Sequence, residues 1–286
     1  TVELAQKYGT PVYIMDEQTI RKNCRKYTVA MKKYFGEDAR AFYASKACSF
    51  KKMYNIVESE EMCVDVVSPG EIYTAKSAGY DMAKVCFHSN SKNDFDINFA
   101  MDNGVGCFAV DNLEELTAIN NFAGERGFTQ KIIFRVTPGI DTHTYEAVNT
   151  GKVDSKFGFP IETGAAMEIT KVALGMDNID LAGFHCHVGS QLFDSDVFVR
   201  SAKIMLEFIA EVKAETGYEA RELDLGGGYG VRYTENDPEI DIEDVIIVLA
   251  SGIYGCGLQF AFDIENHEGT LFFCSKRINE RRHNDK

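Results

Sequence analysis

Phe42-Tyr43-Ala44-Ser45-Lys46-Ala47 is the stretch on which the reading of this chain turns. The apolar alternation from Ala39 to Ala44 is that of a strand whose successive side chains point to opposite faces. Lys46 comes where the alternation runs out, so its amine is expected to emerge at a strand end. Two later stretches have the same character: Phe184-His185-Cys186-His187-Val188-Gly189-Ser190 and Leu223-Asp224-Leu225-Gly226-Gly227-Gly228-Tyr229-Gly230. They add a ring able to lie on a flat molecule and a glycine turn able to hold a phosphate. An amine, a ring and an anion cradle together suit a flat phosphorylated aldehyde.

Outward from these stretches, short β-rich runs alternate with helical ones. Strands are expected at 40–44, 63–67, 84–88, 107–110, 131–136, 181–187, 221–225 and 258–264. Ser68-Pro69-Gly70-Glu71 is a capping box with proline at the first helical position, and Gly79 supplies a stop. Asp111-Asn112-Leu113-Glu114 repeats the device. From Asp194 to Thr216, Val197, Ala202, Met205, Phe208, Ile209 and Val212 recur at helical spacing before Gly217. Such alternation implies a parallel sheet covered by helices. Eight units over about 250 residues is the size of an α/β (β/α)8 TIM-like barrel. An open Rossmann-type sheet competes, but no Gly-x-Gly-x-x-Gly opens an early helix. Functional groups in a barrel gather at the C-terminal strand ends. Lys46, Asp65, His88, Arg135, His187 and Gly226–Gly228 all fall at or near such ends. Pro11-Val12-Tyr13-Ile14-Met15 is a further strand candidate, with Asp16 as a helix cap. The division expected is an N-terminal segment 1–15, a barrel 16–270 and a polar tail 271–286.

Of the 286 residues, 45% are apolar and 26% charged, which suits a folded chain with a large core. The net charge of −14 argues against a nucleic-acid or anionic-membrane partner, since both need a basic face. No apolar run approaches a membrane span, and Thr1-Val2-Glu3-Leu4 does not read as a signal peptide. The eight cysteines include no Cys-x-x-Cys pair, and Cys63, Cys86 and Cys107 sit in apolar strand runs. They are expected to be reduced thiols acting as small hydrophobes in a cytoplasmic protein.

Each candidate has a plain alternative. Lys46 at a barrel mouth would be partly desolvated, which frees its amine for attack on an aldehyde; otherwise it is a loop lysine. The triple glycine is either an anion cradle or a tight turn. His185 and His187 share a strand face and could bind zinc, but further ligands are needed, and His88 and His143 are the candidates at hand. Stacking of one imidazole on a cofactor fits better, with Ser190 placed to reach a phosphate oxygen, and no metal is expected. His185 reads as a core histidine satisfied by backbone. Asp65 and Arg135 are charges inside apolar runs, which suits either a structural ion pair or an active site.

Taken in order, the motifs resemble those of the fold-type III pyridoxal phosphate (PLP) decarboxylases. The matching stretches are Phe42-Tyr43-Ala44-Ser45-Lys46-Ala47, Asp65-Val66-Val67-Ser68-Pro69-Gly70-Glu71 and His88-Ser89-Asn90-Ser91-Lys92. They continue with Arg135-Val136-Thr137-Pro138-Gly139-Ile140-Asp141, Asp154-Ser155-Lys156-Phe157-Gly158, His187-Val188-Gly189-Ser190 and the triple glycine. The resemblance runs from about residue 9 to about residue 243, and two wordings, Ser68–Glu71 and His185–Gln191, are similar to the diaminopimelate branch. It implies a barrel of the alanine racemase type and a small amino-acid substrate, meso-diaminopimelate, decarboxylated to L-lysine. Lys46 would carry the pyridoxal 5'-phosphate and His187 would stack on its ring. Ser190, Gly226, Gly227 and Gly228 would hold its phosphate, and Asp65 and Arg135 would shape the surroundings. Other basic amino-acid decarboxylases of the fold type, and single-domain PLP-binding barrels without catalytic duty, share the skeleton.

The family continues to a Glu-Pro-Gly-Arg strand end, where this chain reads Phe262-Asp263-Ile264-Glu265-Asn266-His267-Glu268-Gly269. Glu265 stands at a plausible distance, but the proline and arginine are absent. Beyond about Val245 the resemblance ends, and no counterpart of the family's C-terminal β-domain is recognisable. The chain therefore reads as the barrel domain alone, with 1–15 as an orphan strand of the missing domain. Weak PLP binding and little or no decarboxylation are expected of it. The family's homodimer uses both domains, which leaves assembly open.

Overall fold

The structure is a computed structural model that describes residues 2–140, 157–255 and 271–275. Helix α1 is Val2–Tyr8 and α2 Glu17–Phe35; β1 (Ala39–Arg40) and β2 (Phe42–Ala44) follow, then α3 (Lys51–Ser59), β3 (Cys63–Val66) and α4 (Pro69–Ser77). Next come β4 (Val85–Phe87), α5 (Asp94–Asp102), β5 (Cys107–Val110), α6 (Leu113–Arg126), β6 (Gln130–Thr137) and β7 (Phe159–Pro160). The series ends with α7 (Ala165–Leu174), β8 (Ile179–His185), α8 (Asp196–Thr216), β9 (Glu222–Asp224), α9 (Ile242–Gly255) and β10 (Leu271–Ser275).

Local chemistry sets the helix ends. The Asp16 carboxylate accepts from Gln18 N–H to start α2, and the Ser68 hydroxyl accepts from Glu71 N–H to start α4, with Pro69 just inside. Asn93 and Asp96 form a reciprocal capping box on α5, and Asn112 caps α6. Gly217 adopts a left-handed conformation to end α8, where a side chain would be strained.

One sheet runs in the order β1-β10-β9-β8-β6-β5-β4-β3-β2, with β7 added beside β6. The pairs from β2 through β6, then β6 with β8 and β8 with β9, are all parallel. β10 is antiparallel to both β9 and β1. Only Ala41 separates β1 from β2, so the sheet starts and finishes on one stretch of chain and curls into a barrel. The expected strand at 258–264 lies outside the described residues. A strand instead occupies Leu271–Ser275, within the segment expected to be a polar tail. Its backbone pairs with the otherwise open edges of β1 and β9. Pro11–Met15 is not a strand: it is irregular and lies on the surface, with Tyr13 100% exposed. A strand needs a neighbour to take its hydrogen bonds, and the sheet gives this segment none.

The alternation of each strand divides the core. Outward-facing Phe134 and Phe184 are fully buried; Phe184 meets Phe208 of α8 edge-on at 5.1 Å. Burying each such ring contributes about 1.5–3 kcal/mol. Cys86, Cys107, Ala109, Ile133 and Ala182 form a separate small cluster with Phe42. The cysteines expected to be unlinked hydrophobes, Cys63, Cys86 and Cys107, are free and buried. Among the described residues, no helix is long and apolar enough to cross a membrane.

One fully buried ion pair ties the loop after β4 to the start of α6. Lys92 Nζ lies 2.6 Å from Glu115 Oε1 and donates to the Ser89 and Ala109 carbonyls at 2.7 Å each. The ammonium is thus surrounded, out of water, by one carboxylate and two carbonyl oxygens. Lys92→Met leaves the Glu115 carboxylate without its cation and is expected to cost about 3–5 kcal/mol in urea unfolding. The double variant Lys92→Met/Glu115→Leu is expected to lose less than the single one.

Candidate active site at the barrel mouth

In-register pairing assembles the mouth. Ala44 stands beside Asp65, Arg135 beside His185, and His185 beside Asp224. Parallel strands bring these C-terminal ends to one rim. Lys46 follows β2 in a single turn of 3-10 helix, Ser45–Ala47. The buried Ser45 hydroxyl donates to Glu71 Oε2, which also accepts from Val67 N–H at 3.1 Å. Glu71 thereby bolts the lysine turn to the end of β3. Lys46 itself is exposed, not partly desolvated as expected: it stands in a one-turn helix beyond the end of β2 and not in the strand. Its charge still acts on Asp65, His88, His185 and His187.

His187 lies against the glycine turn. A Cβ at Gly226 would come within 2.9 Å of His187 Nδ1 and 2.5 Å of the Cys186 carbonyl. At Gly228, whose φ is +104°, it would come within 1.8 Å of the Gly189 carbonyl. A Cβ at Gly227 would meet nothing within 4 Å. The outer two glycines are thus required by close packing and by positive φ, while the middle one borders open space where an anion can approach the backbone. Leu192 N–H donates to the Gly228 carbonyl at 2.9 Å, and Gly230 N–H to the Leu192 carbonyl at 2.8 Å. These bonds draw the loop carrying the exposed Ser190 alongside the turn.

Below the rim, charges meet imidazoles. His88 Nε2 is 3.7 Å from Asp65 Oδ1 and 4.0 Å from Asp224 Oδ2. Its ring meets that of His185 nearly perpendicularly, centroids 4.6 Å apart. His185 Nδ1 lies directly against Asp224 Oδ2, so its neighbour is a carboxylate and not the expected backbone group. Asp224 Oδ1 accepts from Gly226 N–H at 2.7 Å, coupling this floor to the glycine turn. Asp65 Oδ1 is buried and makes no hydrogen bond among the described residues. Arg135 lies over the Phe157 ring at 4.1 Å, so the expected Asp65–Arg135 relation is one of charge. Lys46, Asp65, Arg135, His187, Ser190 and the glycines therefore share one end of the barrel. Asp141, His143, Asp154-Ser155-Lys156 and Glu265 lie outside the described residues.

Burial decides the ionisation. It raises the carboxyls of Asp65 and Asp224 well above the usual range, and the charge of Asp224 adds to the rise at Asp65. It pushes His88 and His185 well down, helped by the Arg135 and Lys46 charges. His187 falls to about 3, through burial first and then Arg135. Sequence reasoning missed the roles of Asp224, Glu71 and Lys92. The signal for Asp224 was present, a carboxylate between Leu223 and Leu225, as for Asp65. Glu71 was read only as a cap, since its bond to Ser45 crosses 26 positions.

This geometry fits a phosphorylated aldehyde: a cradle that side chains would fill, an imidazole beside it, and an amine within electrostatic reach of both. Residues 17–254 match the family model of the pyridoxal-dependent decarboxylase, pyridoxal binding domain. The diaminopimelate decarboxylase of Bacillus methanolicus is 42% identical over 240 residues, covering 84% of this chain and 55% of that protein. That of Bacillus subtilis is 35% identical, covering 91% and 59%. The crystal structure of the Methanocaldococcus jannaschii enzyme superposes with a TM-score of 0.81 at 33% identity, covering 95% of this chain and 62% of that one. The Helicobacter pylori enzyme complexed with L-lysine gives 0.78 at 29% identity, covering 89% and 63%. The chain thus spans little more than half the length of the curated relatives it matches.

His187 supplies a pH test. Unfolded, it takes up a proton near pH 6.5; folded, only near 3. Its contribution to stability is therefore complete above about pH 6.5 and is lost as pH falls toward 3. Between these limits wild type is expected to lose up to about 1.4 kcal/mol more per pH unit than His187→Asn, measured by denaturant unfolding across the range.

Proposed function

Since the chain belongs to the pyridoxal-dependent decarboxylase family through its pyridoxal-binding domain, we propose that it is the cofactor-holding barrel of an enzyme that converts meso-diaminopimelate to L-lysine. The observation that carries this reading is the convergence of Lys46, His187 and Gly226–Gly228 at one rim of the barrel. The relatives' names and the L-lysine in the Helicobacter pylori complex support the substrate. A small amino-acid substrate, a homodimer and a cytoplasmic setting belong to the same proposal.

Bound pyridoxal phosphate would supply the electron sink for the pair left behind when carbon dioxide departs. The residues of the chain do the rest. Lys46 Nζ would hold the aldehyde of that group, and its amine is the proton carrier that the chain offers at the mouth. His187, kept neutral by burial, offers an uncharged face to the ring. Backbone N–H groups of the glycine turn, with the Ser190 hydroxyl, receive the phosphate. Arg135 and Asp65 would set the charge around the bound group, and Glu71 fixes the lysine turn through Ser45.

Pyridoxal phosphate added to the purified chain, followed by borohydride reduction and peptide mapping, is expected to label Lys46. Lys46→Ala is expected to abolish the label and the visible absorbance. Label on another lysine would remove Lys46 from this role. Lys46 and Ser190 stand exposed, which favours a second reading: a barrel that binds the cofactor without turning over. Carbon dioxide released from meso-diaminopimelate by chain and cofactor separates the two. Release is expected to be weak, because these exposed groups do not shut water out of the site.

A further inference from the structure

We propose that the end of the barrel opposite the mouth is a separate binding site for a small oxyanion of the phosphate class, held by Arg40, Lys84 and Lys131. These cations stand at the beginnings of strands, away from the mouth: Arg40 just ahead of β2, Lys84 immediately before β4, and Lys131 near the start of β6. They line one cavity of about 420 Å³, solvent space included, together with Glu222, Cys63 and Cys107, which open β9, β3 and β5. Cys86 and Ile133 also line it and belong, with Cys107, to the small interior cluster, so the cavity rests on that layer. None of the mouth residues lines it. Arg40 and Lys84 are exposed, so an ion can enter without opening the barrel.

Charge identifies the ligand. Glu222 is the one carboxylate in the lining among the described residues, and Lys131 pairs with it. Asp81 Oδ2 lies 3.9 Å from Lys84 Nζ but is not part of the lining. The cavity wall as a whole is therefore positive, and a cleft lined by one sign of charge concentrates its field. The fields do meet inside: Arg40, Lys84 and Lys131 all act on the Cys63 thiol, and Arg40 opposes the charge of Lys131. Cations held this close repel one another, and a bound anion offsets that repulsion. An arginine fork beside lysine amines is the donor set that oxyanions take. A metal ion does not fit, because burial keeps the thiols of Cys63 and Cys86 protonated and the neighbouring cations repel it. An anion joining Arg40, Lys84 and Lys131 would tie together segments far apart in the chain, so it would stabilise the folded barrel by mass action.

The test needs neither pyridoxal phosphate nor turnover, so it does not depend on the decarboxylase reading. Inorganic phosphate is titrated calorimetrically into the chain at constant ionic strength. Wild type is expected to bind saturably, and Arg40→Gln/Lys84→Gln to weaken one binding component at least tenfold. Lys171→Gln/Lys213→Gln removes the same charge from α7 and α8 and is expected to leave every component unchanged. The glycine turn at the mouth is another place for phosphate, so selenate soaked into crystals of the wild-type chain locates the ion. Anomalous density among Arg40, Lys84 and Lys131 is expected. Its absence there, full binding by the folded Arg40→Gln/Lys84→Gln chain, or equal weakening in the control pair overturns the site. Should the double variant fail to fold, as read by circular dichroism, the selenate position in the wild type decides.

Discussion

Parallel strands held in register carry everything else at the barrel mouth. Arg135, His185 and Asp224 are immediate neighbours across β6, β8 and β9, and Ala44 stands beside Asp65 across β2 and β3. A slip of one residue in any of these ladders would turn a mouth residue outward into the helices and bring an apolar one into its place. The glycines share this constraint. At Gly183 a Cβ would strike the Glu222 carbonyl at 1.8 Å, so close approach of β8 and β9 rests on its absence.

Along the barrel the environment changes sharply. At the far end Lys131 pairs with Glu222, and a cavity lies among Arg40, Lys84, Cys63 and Cys86. Thiols and small apolar residues fill the middle, and acids, imidazoles and a guanidinium occupy the mouth. Above the middle layer, burial is the leading cause of the shifted ionisation of Asp65, His185 and Asp224. Hydrogen bonds then link the parts: Ser45 to Glu71 at the lysine turn, Gly226 to Asp224 beneath the cradle. A cofactor bound there would meet a surface already set in shape and low in charge.

Much of this was legible in the sequence because the signals are local. The alternation of 63–67 and 107–110 gave β3 and β5, and the capping residues Ser68 and Asn112 gave the starts of α4 and α6. Lys46, His187 and the triple glycine stood out because such residues are unusual at the ends of apolar runs. Other features depended on partners far along the chain. Pro11–Met15 has strand composition but no edge to join, whereas Leu271–Ser275 has a place between β1 and β9. The exposure of Lys46 follows from a one-turn helix that periodicity does not register.

By itself, then, the sequence determined the alternation of strand and helix, the parallel barrel it implies, and the residue types standing at the strand ends. Hydrogen-bonding pattern and side-chain period are properties of a few neighbouring residues, so they survive without coordinates. Only the tertiary structure decided which groups face one another. It set His185 against Asp224 and His88 between two carboxylates, and it gave Glu71 to Ser45. Those meetings arise from barrel closure and from desolvation, which depend on the whole chain at once.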